Sequence, residues 1–93
     1  MSIRLLISMS SVPGKSAEFI KARLPRSAEI RKDAGCEQFD VFQNVENPDQ
    51  FLLVEKWKDE ESLQAHYAIK RPQVAPELRV PSTGKNEKYI MED

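Results

Sequence analysis

The segment at residues 51–57, FLLVEKW, constrains the fold most, because it has apolar side chains on both faces. Successive side chains of a strand point to opposite sides of the sheet, so Phe51 and Leu53 fall on one face. Leu52 and Val54 fall on the other. A sheet that faces water normally keeps one of its faces polar. The pattern therefore predicts a strand that needs cover on both sides of its sheet.

The rest of the chain supplies three more strands and two helices. Apolar residues alternate from Ile3 to Met9 and predict a first strand, although Leu6 adds an apolar group to its second face. Apolar residues three or four apart predict a first helix, and Asp59 followed by two glutamates predicts the start of a second. The predicted strands cover residues 3–10, 36–44, 51–57 and 85–92, and the predicted helices cover residues 15–33 and the stretch from residue 60 onward.

This order of elements is strand, helix, strand, strand, helix, strand, which is that of a ferredoxin-like α+β fold. It predicts a four-stranded antiparallel sheet with both helices on one face. The other face then has no cover from within the chain. Its apolar groups, Leu6 and Leu52 among them, favour a homodimer that packs sheet against sheet.

Three positions predict local features of the backbone. Pro25 lies inside the first helix, where a proline removes a hydrogen bond and clashes with the preceding turn, so we expect a kink or break near Leu24. Gly35 is placed to end that helix in a left-handed conformation. Residues 71–84 are irregular, and Pro72 is a candidate start for a short helix.

The size and charge of the chain indicate one domain, residues 1–93. Its 14 basic and 15 acidic residues are interspersed, so the chain lacks the basic stripe that binds a phosphate backbone. The first apolar run, residues 5–7, is too short for a signal sequence or a membrane span. The single cysteine, Cys36, excludes an internal disulfide and fits a reducing compartment. We expect a cytoplasmic protein that binds neither nucleic acid nor membrane.

His66 is the only histidine, which limits the chemistry available to the chain. With Cys36 it offers two soft ligands in no recognised metal-binding spacing, so we expect no metal site. The sequence contains no GxSxG elbow, GxGxxG turn or Walker motif, which argues against a serine hydrolase and against a nucleotide cofactor. General acid–base catalysis in a partly apolar pocket remains.

Glu55 and Trp57 lie within twelve positions of His66 and share one face of their strand. If that face lies under the helices, Glu55 is a candidate to orient His66 or to act as a base with a raised pKa. Structural roles stay open for all three residues: a hydrogen-bonded wall for His66, core packing for Trp57, and an ion pair with a lysine or arginine for Glu55.

Several short motifs occur in a fixed order over about residues 3–92. They are Pro13-Gly14-Lys15 before a helix with Phe19, Gly35-Cys36 before a strand, Asn47-Pro48-Asp49 before Phe51, and Glu55-x-Trp57 followed by an acidic helix start and His66. In this order and spacing the chain resembles the antibiotic biosynthesis monooxygenase family. The resemblance implies a dimeric α+β barrel, with sheets packed together and a small-molecule pocket between sheet and helices.

The same resemblance implies a reaction. Several members of the family oxygenate quinols or polyketide phenols without flavin, metal or haem, so we expect no cofactor. A base deprotonates the hydroxyaromatic substrate, and the anion reacts with dioxygen. By this resemblance His66 is the candidate base and Glu55 supports it. The candidate substrate-binding residues are Trp57, Tyr67, Phe39 and Arg71.

One departure from the family leaves other functions open. Members often carry a second histidine followed by an aromatic residue, five or six positions after the first, and this chain has Arg71-Pro72 there. An isomerase or lyase acting on a small polar or phosphorylated metabolite is one alternative, in which Arg71 or Lys70 holds the phosphate. A non-catalytic dimer that binds a small molecule is the other.

Overall fold

The strands and helices follow the predicted order, with one addition near the C-terminus. The computed structural model describes all 93 residues. Its strands are β1 (Ser2–Ser11), β2 (Cys36–Gln43), β3 (Gln50–Trp57), β4 (Arg79–Val80) and β5 (Glu87–Met91). Its α-helices are α1 (Ser16–Ile30) and α2 (Glu60–Ala68), and Pro76–Leu78 form one 3₁₀ turn. Neither α-helix has the length and apolar character needed to cross a membrane.

The sheet is antiparallel throughout, with β3 between β2 and β1 and with β4 and β5 both paired to the outer edge of β1. The predicted ferredoxin-like α+β fold is confirmed. The prediction of four strands differs in one detail, because two short strands share the fourth position. Pro81 follows β4 directly and has no N–H with which to continue the ladder.

The face of the sheet under the helices carries the core. Both helices pack there, α1 through Phe19 and Ile30 and α2 through Leu63. The buried apolar side chains are Ile3, Leu5, Met9, Phe19, Ile30, Phe39, Phe51, Leu53, Trp57 and Leu63. Glu55 belongs to this same face, in a cross-strand row between Phe39 and Leu5. Its carboxyl group is therefore surrounded by core residues.

The opposite face of the sheet is also apolar in its middle. Phe42 on β2 and Leu52 on β3 are direct neighbours, and their side chains are 52% and 36% exposed. Leu6 and Val54 form the next pair of neighbours and are half-buried. The segment predicted to be apolar on both faces thus has one face in the core and one that no element of the chain covers.

The break predicted near Leu24 is wrong, because α1 is helical from Ser16 to Ile30 and includes Pro25, whereas the kink stays a prediction. Leu24 and Pro25 both lie on the exposed side of the helix. There, solvent can hydrate the carbonyl of Lys21, which the proline leaves without its N–H partner. Phe19 before the proline and Ser27 after it are both buried, so the same side of the helix is packed on either side of Pro25.

The other two backbone predictions have mixed outcomes. Gly35 has a left-handed conformation, with φ of +80°, but α1 has already ended at Ile30 and the glycine leads into β2. The start of a short helix at Pro72 is wrong, since the 3₁₀ turn begins at Pro76. The chain leaves α2 in an extended conformation at Ile69, and the side chain of Arg71 then donates a hydrogen bond to Glu29 on α1.

Candidate active site

His66 lies on the side of α2 that faces the sheet, with its imidazole stacked on the indole of Trp57. The two ring centroids are 4.5 Å apart, and the planes are 29° from parallel. Leu63, one turn earlier on the same helix face, is fully buried and anchors this side of α2. The ring of Phe39 is edge-on to the imidazole, with the two ring centroids 6.3 Å apart. The centroid of the Tyr67 ring is 5.6 Å from that of the imidazole. The imidazole thus has aromatic rings on three sides.

Asp33 is the hydrogen-bond partner of this imidazole. The Nδ1 atom of His66 is 2.8 Å from Oδ2 of Asp33. Asp33 lies in the turn between α1 and β2, and its backbone is fixed at both ends. Its N–H donates to the carbonyl of Ile30 at 2.9 Å, and its carbonyl accepts from the N–H of Cys36 at 3.1 Å. The turn therefore presents a fixed carboxylate to the second helix.

Arg71 holds Asp33 from the opposite side. Its Nη2 donates to Oδ1 at 2.6 Å and its Nη1 donates to Oδ2 at 3.0 Å, which is the two-pronged arrangement that suits a guanidinium and a carboxylate. Its Nε donates to Glu29 at 2.8 Å. The Arg71 hydrogen bonds, followed by that of His66, lower the pKa of Asp33, so this carboxylate is ionised at neutral pH. The same pairing, with Asp33 first and Glu29 second, raises the pKa of Arg71.

The ionised state of Asp33 assigns the proton on the imidazole. A carboxylate only accepts hydrogen bonds, so Nδ1 must carry the proton, and Nε2 of the neutral ring is then an acceptor. Nε2 makes no hydrogen bond within the protein. The one buried side-chain nitrogen or oxygen without a partner is Nε of Arg23, so Nε2 of His66 is accessible from outside. The site presents an oriented base at the surface.

Glu55 is 5% exposed and binds Trp57 rather than His66. The indole Nε1 donates to its Oε1 at 2.9 Å. Burial raises the pKa of Glu55, while the Trp57 hydrogen bond and the charges of His66 and Arg23 oppose the rise. The face of β3 that carries Glu55 and Trp57 does lie under the helices. Glu55 makes no hydrogen bond to the imidazole, whereas Asp33 does, so the residue that orients His66 is Asp33.

The six predicted site residues lie close together around His66. They differ in how exposed their side chains are and in whether these are bound to other residues. Trp57 and Phe39 are buried walls, whereas Tyr67 is 58% exposed and lies at the rim. Arg71 has both ends of its guanidinium bound to carboxylates, so it supports Asp33 and is not free to bind an anionic substrate as it stands. The role of each residue in a reaction stays a prediction.

Asp33 and Glu29 are the members of this cluster that sequence reasoning missed. Both are acidic residues near the C-terminal end of α1, where an acidic side chain is unfavourable to the helix dipole. That local mismatch, together with an arginine where the family often has histidine, is the only sequence signal of the ion pairs with Arg71.

Two cavities lie elsewhere in the protein. One, of about 400 Å³, is on the open face of the sheet and is lined by Ser8, Leu52 and Gly84 among others. The other, of about 500 Å³, lies between α1 and the sheet and is lined by Arg23 and Val41 among others. Neither includes any of the six predicted site residues. The larger cavity between sheet and helices is therefore under α1, and of the predicted site residues only Phe39 lines a further, smaller cavity of about 210 Å³.

Comparison with known proteins assigns the family. The family model described as antibiotic biosynthesis monooxygenase matches residues 2–69. The chain belongs to this family. The expected resemblance to antibiotic biosynthesis monooxygenases is thus confirmed over most of the chain, including β1–β3 and both α-helices.

Individual proteins that are similar to this antibiotic biosynthesis monooxygenase domain are consistent with the family assignment. A Bacillus subtilis (strain 168) protein named Putative monooxygenase YcnE is 33% identical over 54 residues, which are 58% of this chain and 57% of that protein. The match thus spans little more than half of that relative. A conserved protein from Methanosarcina mazei Go1 has a TM-score of 0.77 and 26% identity, over 99% of this chain and 94% of that one. A putative antibiotic biosynthesis monooxygenase from Chloroflexus aurantiacus has a TM-score of 0.79 at 19% identity, over 100% and 95% of the two chains, and shows the shared fold.

Proposed function

We propose that the chain is a cofactor-independent monooxygenase that acts on a small quinol or phenol, with His66 as the base. One observation carries the proposal: Nδ1 of His66 is bound to an ionised Asp33, while Nε2 is unbonded and accessible. Membership of the antibiotic biosynthesis monooxygenase family and the name of the B. subtilis relative support the reaction type.

The reaction needs a base and no external reductant. Nε2 of His66 takes the proton of the substrate hydroxyl, and the resulting phenolate adds dioxygen at a ring carbon to give a hydroperoxide. Loss of the hydrogen from that carbon, together with cleavage of the O–O bond, gives a quinone and water. One oxygen atom enters the product and the other becomes water, and the substrate supplies all four electrons. Asp33 stabilises the imidazolium that forms in the first step.

The surrounding residues position the base. Trp57 and Phe39 hold the imidazole plane, and Arg71 keeps Asp33 ionised and aimed at Nδ1. Tyr67, which is half-exposed beside the imidazole, is the aromatic side chain placed to contact a ring substrate at Nε2. Glu55 accepts the hydrogen bond of the Trp57 indole N–H and so fixes the orientation of that ring.

Oxygen uptake by the purified, metal-free protein with a panel of hydroquinones and naphthols tests this function. We expect turnover with at least one member of the panel, and we expect His66→Ala to lose about a hundredfold or more of that rate, which is the usual contribution of a general base. Asp33→Asn is expected to lose a similar factor, because an amide donates to Nδ1 and leaves the proton on Nε2.

Gln64→Ala on the exposed side of α2 is the matched control and is expected to keep the wild-type rate. An unchanged rate in His66→Ala would exclude His66 as the base. Turnover without oxygen would exclude a monooxygenase. Quinone formed with hydrogen peroxide in place of water would show an oxidase instead.

We infer that a second copy of the chain covers the open face of the sheet. The exposed pair Phe42 and Leu52 lies on that face where the edge strand β2 meets β3, next to the half-buried Leu6 and Val54. Light scattering is expected to give twice the 10.7 kDa mass of the chain. Leu52→Lys places a charge opposite Phe42 and is expected to give the single-chain mass, whereas Gln64→Lys on α2 keeps the double mass. A wild-type protein of 10.7 kDa would contradict the dimer.

A further inference from the structure

The cavity of about 500 Å³ between α1 and the sheet has the size of a small-molecule site. Its walls are mainly apolar and come from the inner side of α1 and from β2 and β3. The apolar residues that face the cavity are Phe19, Ile20, Val41 and Phe51, while the exposed Leu24 and Phe42 border it where it opens to solvent. None of them belongs to the His66 cluster, so binding in this cavity is independent of any reaction at His66.

Arg23 is the charged residue in this wall. It lies on the buried side of α1, in line with Phe19 and Ser27, and is only 8% exposed. It forms no ion pair, and its Nε is the one buried side-chain nitrogen or oxygen in the protein without a hydrogen-bond partner. A buried, unpaired guanidinium is costly to a fold, so its place in the wall of a cavity calls for an anionic partner.

The charges around Arg23 do not neutralise its guanidinium group. Burial lowers the pKa of Arg23 first, followed by the like charges of Arg79 and Arg26, and only Glu55 opposes them. Arg31 at the rim is already occupied, with its Nε bound to the carbonyl of Phe39 and its Nη2 to Asp40. Arg23 is therefore the cation of this cavity that is available to a ligand.

We propose that Arg23 is the anion-binding residue of this cavity and that the ligand is a small aromatic monocarboxylate. The two Nη groups of Arg23 make no hydrogen bond within the protein, and a pair of guanidinium N–H donors forms a fork that matches the two oxygens of a carboxylate. The apolar walls fit a ring attached to that carboxylate. The carboxylate of Asp40 at the rim disfavours a phosphate dianion, which carries more negative charge than a monocarboxylate.

Calorimetric titration of the full chain with 2-naphthoate tests the site. We expect saturable binding with one ligand per chain, and at least tenfold weaker binding by Arg23→Met. We also expect at least tenfold weaker binding of 2-naphthalenemethanol, which keeps the rings without the charge. Arg26→Met, on the more exposed side of α1, is the matched control and keeps the wild-type affinity.

Three results would overturn the proposal. They are the absence of saturable binding to the wild-type protein at millimolar naphthoate, equal affinity in Arg23→Met, and displacement of naphthoate by inorganic phosphate. Thermal unfolding of the variant shows that a loss of binding is not a loss of folding. Arg23→Met is expected to melt no lower than the wild-type protein, because methionine fills much of the same volume and leaves no unpaired buried charge.

Discussion

Replacing Gly35 with alanine is expected to lower the free energy of unfolding by about 2–5 kcal/mol. The glycine has φ of +80°, and a Cβ atom there would lie 2.2 Å from Oγ and 2.4 Å from Cβ of Ser62. Two penalties therefore add. Left-handed backbone costs alanine about 1–2 kcal/mol, and forcing atoms into a filled space costs about 1–3 kcal/mol more.

The contact between Gly35 and Ser62 also sets the spacing of the candidate active site. Gly35 follows Asp33 by two residues, and Ser62 precedes His66 by one turn of α2. Moving α2 away from this turn would lengthen the 2.8 Å contact between Asp33 and His66. We expect Gly35→Ala to reduce oxygenase turnover in the fraction that remains folded.

Gly14→Ala is the matched control, since Gly14 has φ of +78° and a Cβ there would meet nothing within 4 Å. It should show only the backbone penalty of about 1–2 kcal/mol. Ser62→Gly removes the overlapping atoms, so adding Gly35→Ala in that background should also cost only the backbone penalty. Urea unfolding measures all four variants. Equal losses for Gly14→Ala and Gly35→Ala would contradict the close approach to α2.

The arrangement of strands and helices was predictable because it follows from local patterns. Alternation defined β1, and the two-sided apolar pattern of β3 predicted that the face of the sheet away from the helices is also apolar. Asp59 accepts a hydrogen bond from the N–H of Ser62 at 2.7 Å, as a predicted N-cap should. The helical conformation at Pro25, in place of the expected break, was not predictable in this way. The cost of a proline depends on which side of the helix it occupies, and packing decides that side.

The partners in the site were not predictable in the same way. Asp33 and Arg71 are 38 residues apart, and only the docking of α1 beside the segment after α2 brings them together. The weak local signals at the two positions do not identify the two residues as partners of each other. Arg23 is similar: its spacing from Phe19 places it on the buried side of α1, but an arginine is normally expected to reach water.

Trp57→Phe is expected to lower the free energy of unfolding by about 2.5–4 kcal/mol at neutral pH. Trp57 is fully buried, and its Nε1 donates to the buried carboxyl of Glu55 at 2.9 Å. Losing a hydrogen bond to a charged group costs about 1.5–3 kcal/mol, and the smaller ring leaves a void that adds about 1 kcal/mol. Phenylalanine still offers a ring to His66, so the contact with Asp33 should persist.

The cost of Trp57→Phe should grow with pH. Burial already raises the pKa of Glu55 above its unfolded value, and the Trp57 hydrogen bond opposes that rise. Without the indole, the folded-state pKa rises further. A group whose pKa is raised on folding loses its stabilising contribution as pH increases through the folded-state pKa. The variant should therefore be closer to the wild-type protein at pH 4 than at pH 8.

Two comparisons isolate the effect of the carboxylate. Phe19→Leu shrinks an equally buried ring that makes no hydrogen bond, so its cost should be the same at pH 4 and pH 8. In a Glu55→Gln background the group stays neutral, and the added cost of Trp57→Phe should also be independent of pH. Urea unfolding at several pH values measures each difference. If Trp57→Phe cost the same at every pH in the wild-type background, Glu55 would not be the group that Trp57 stabilises, and its buried charge would need another partner.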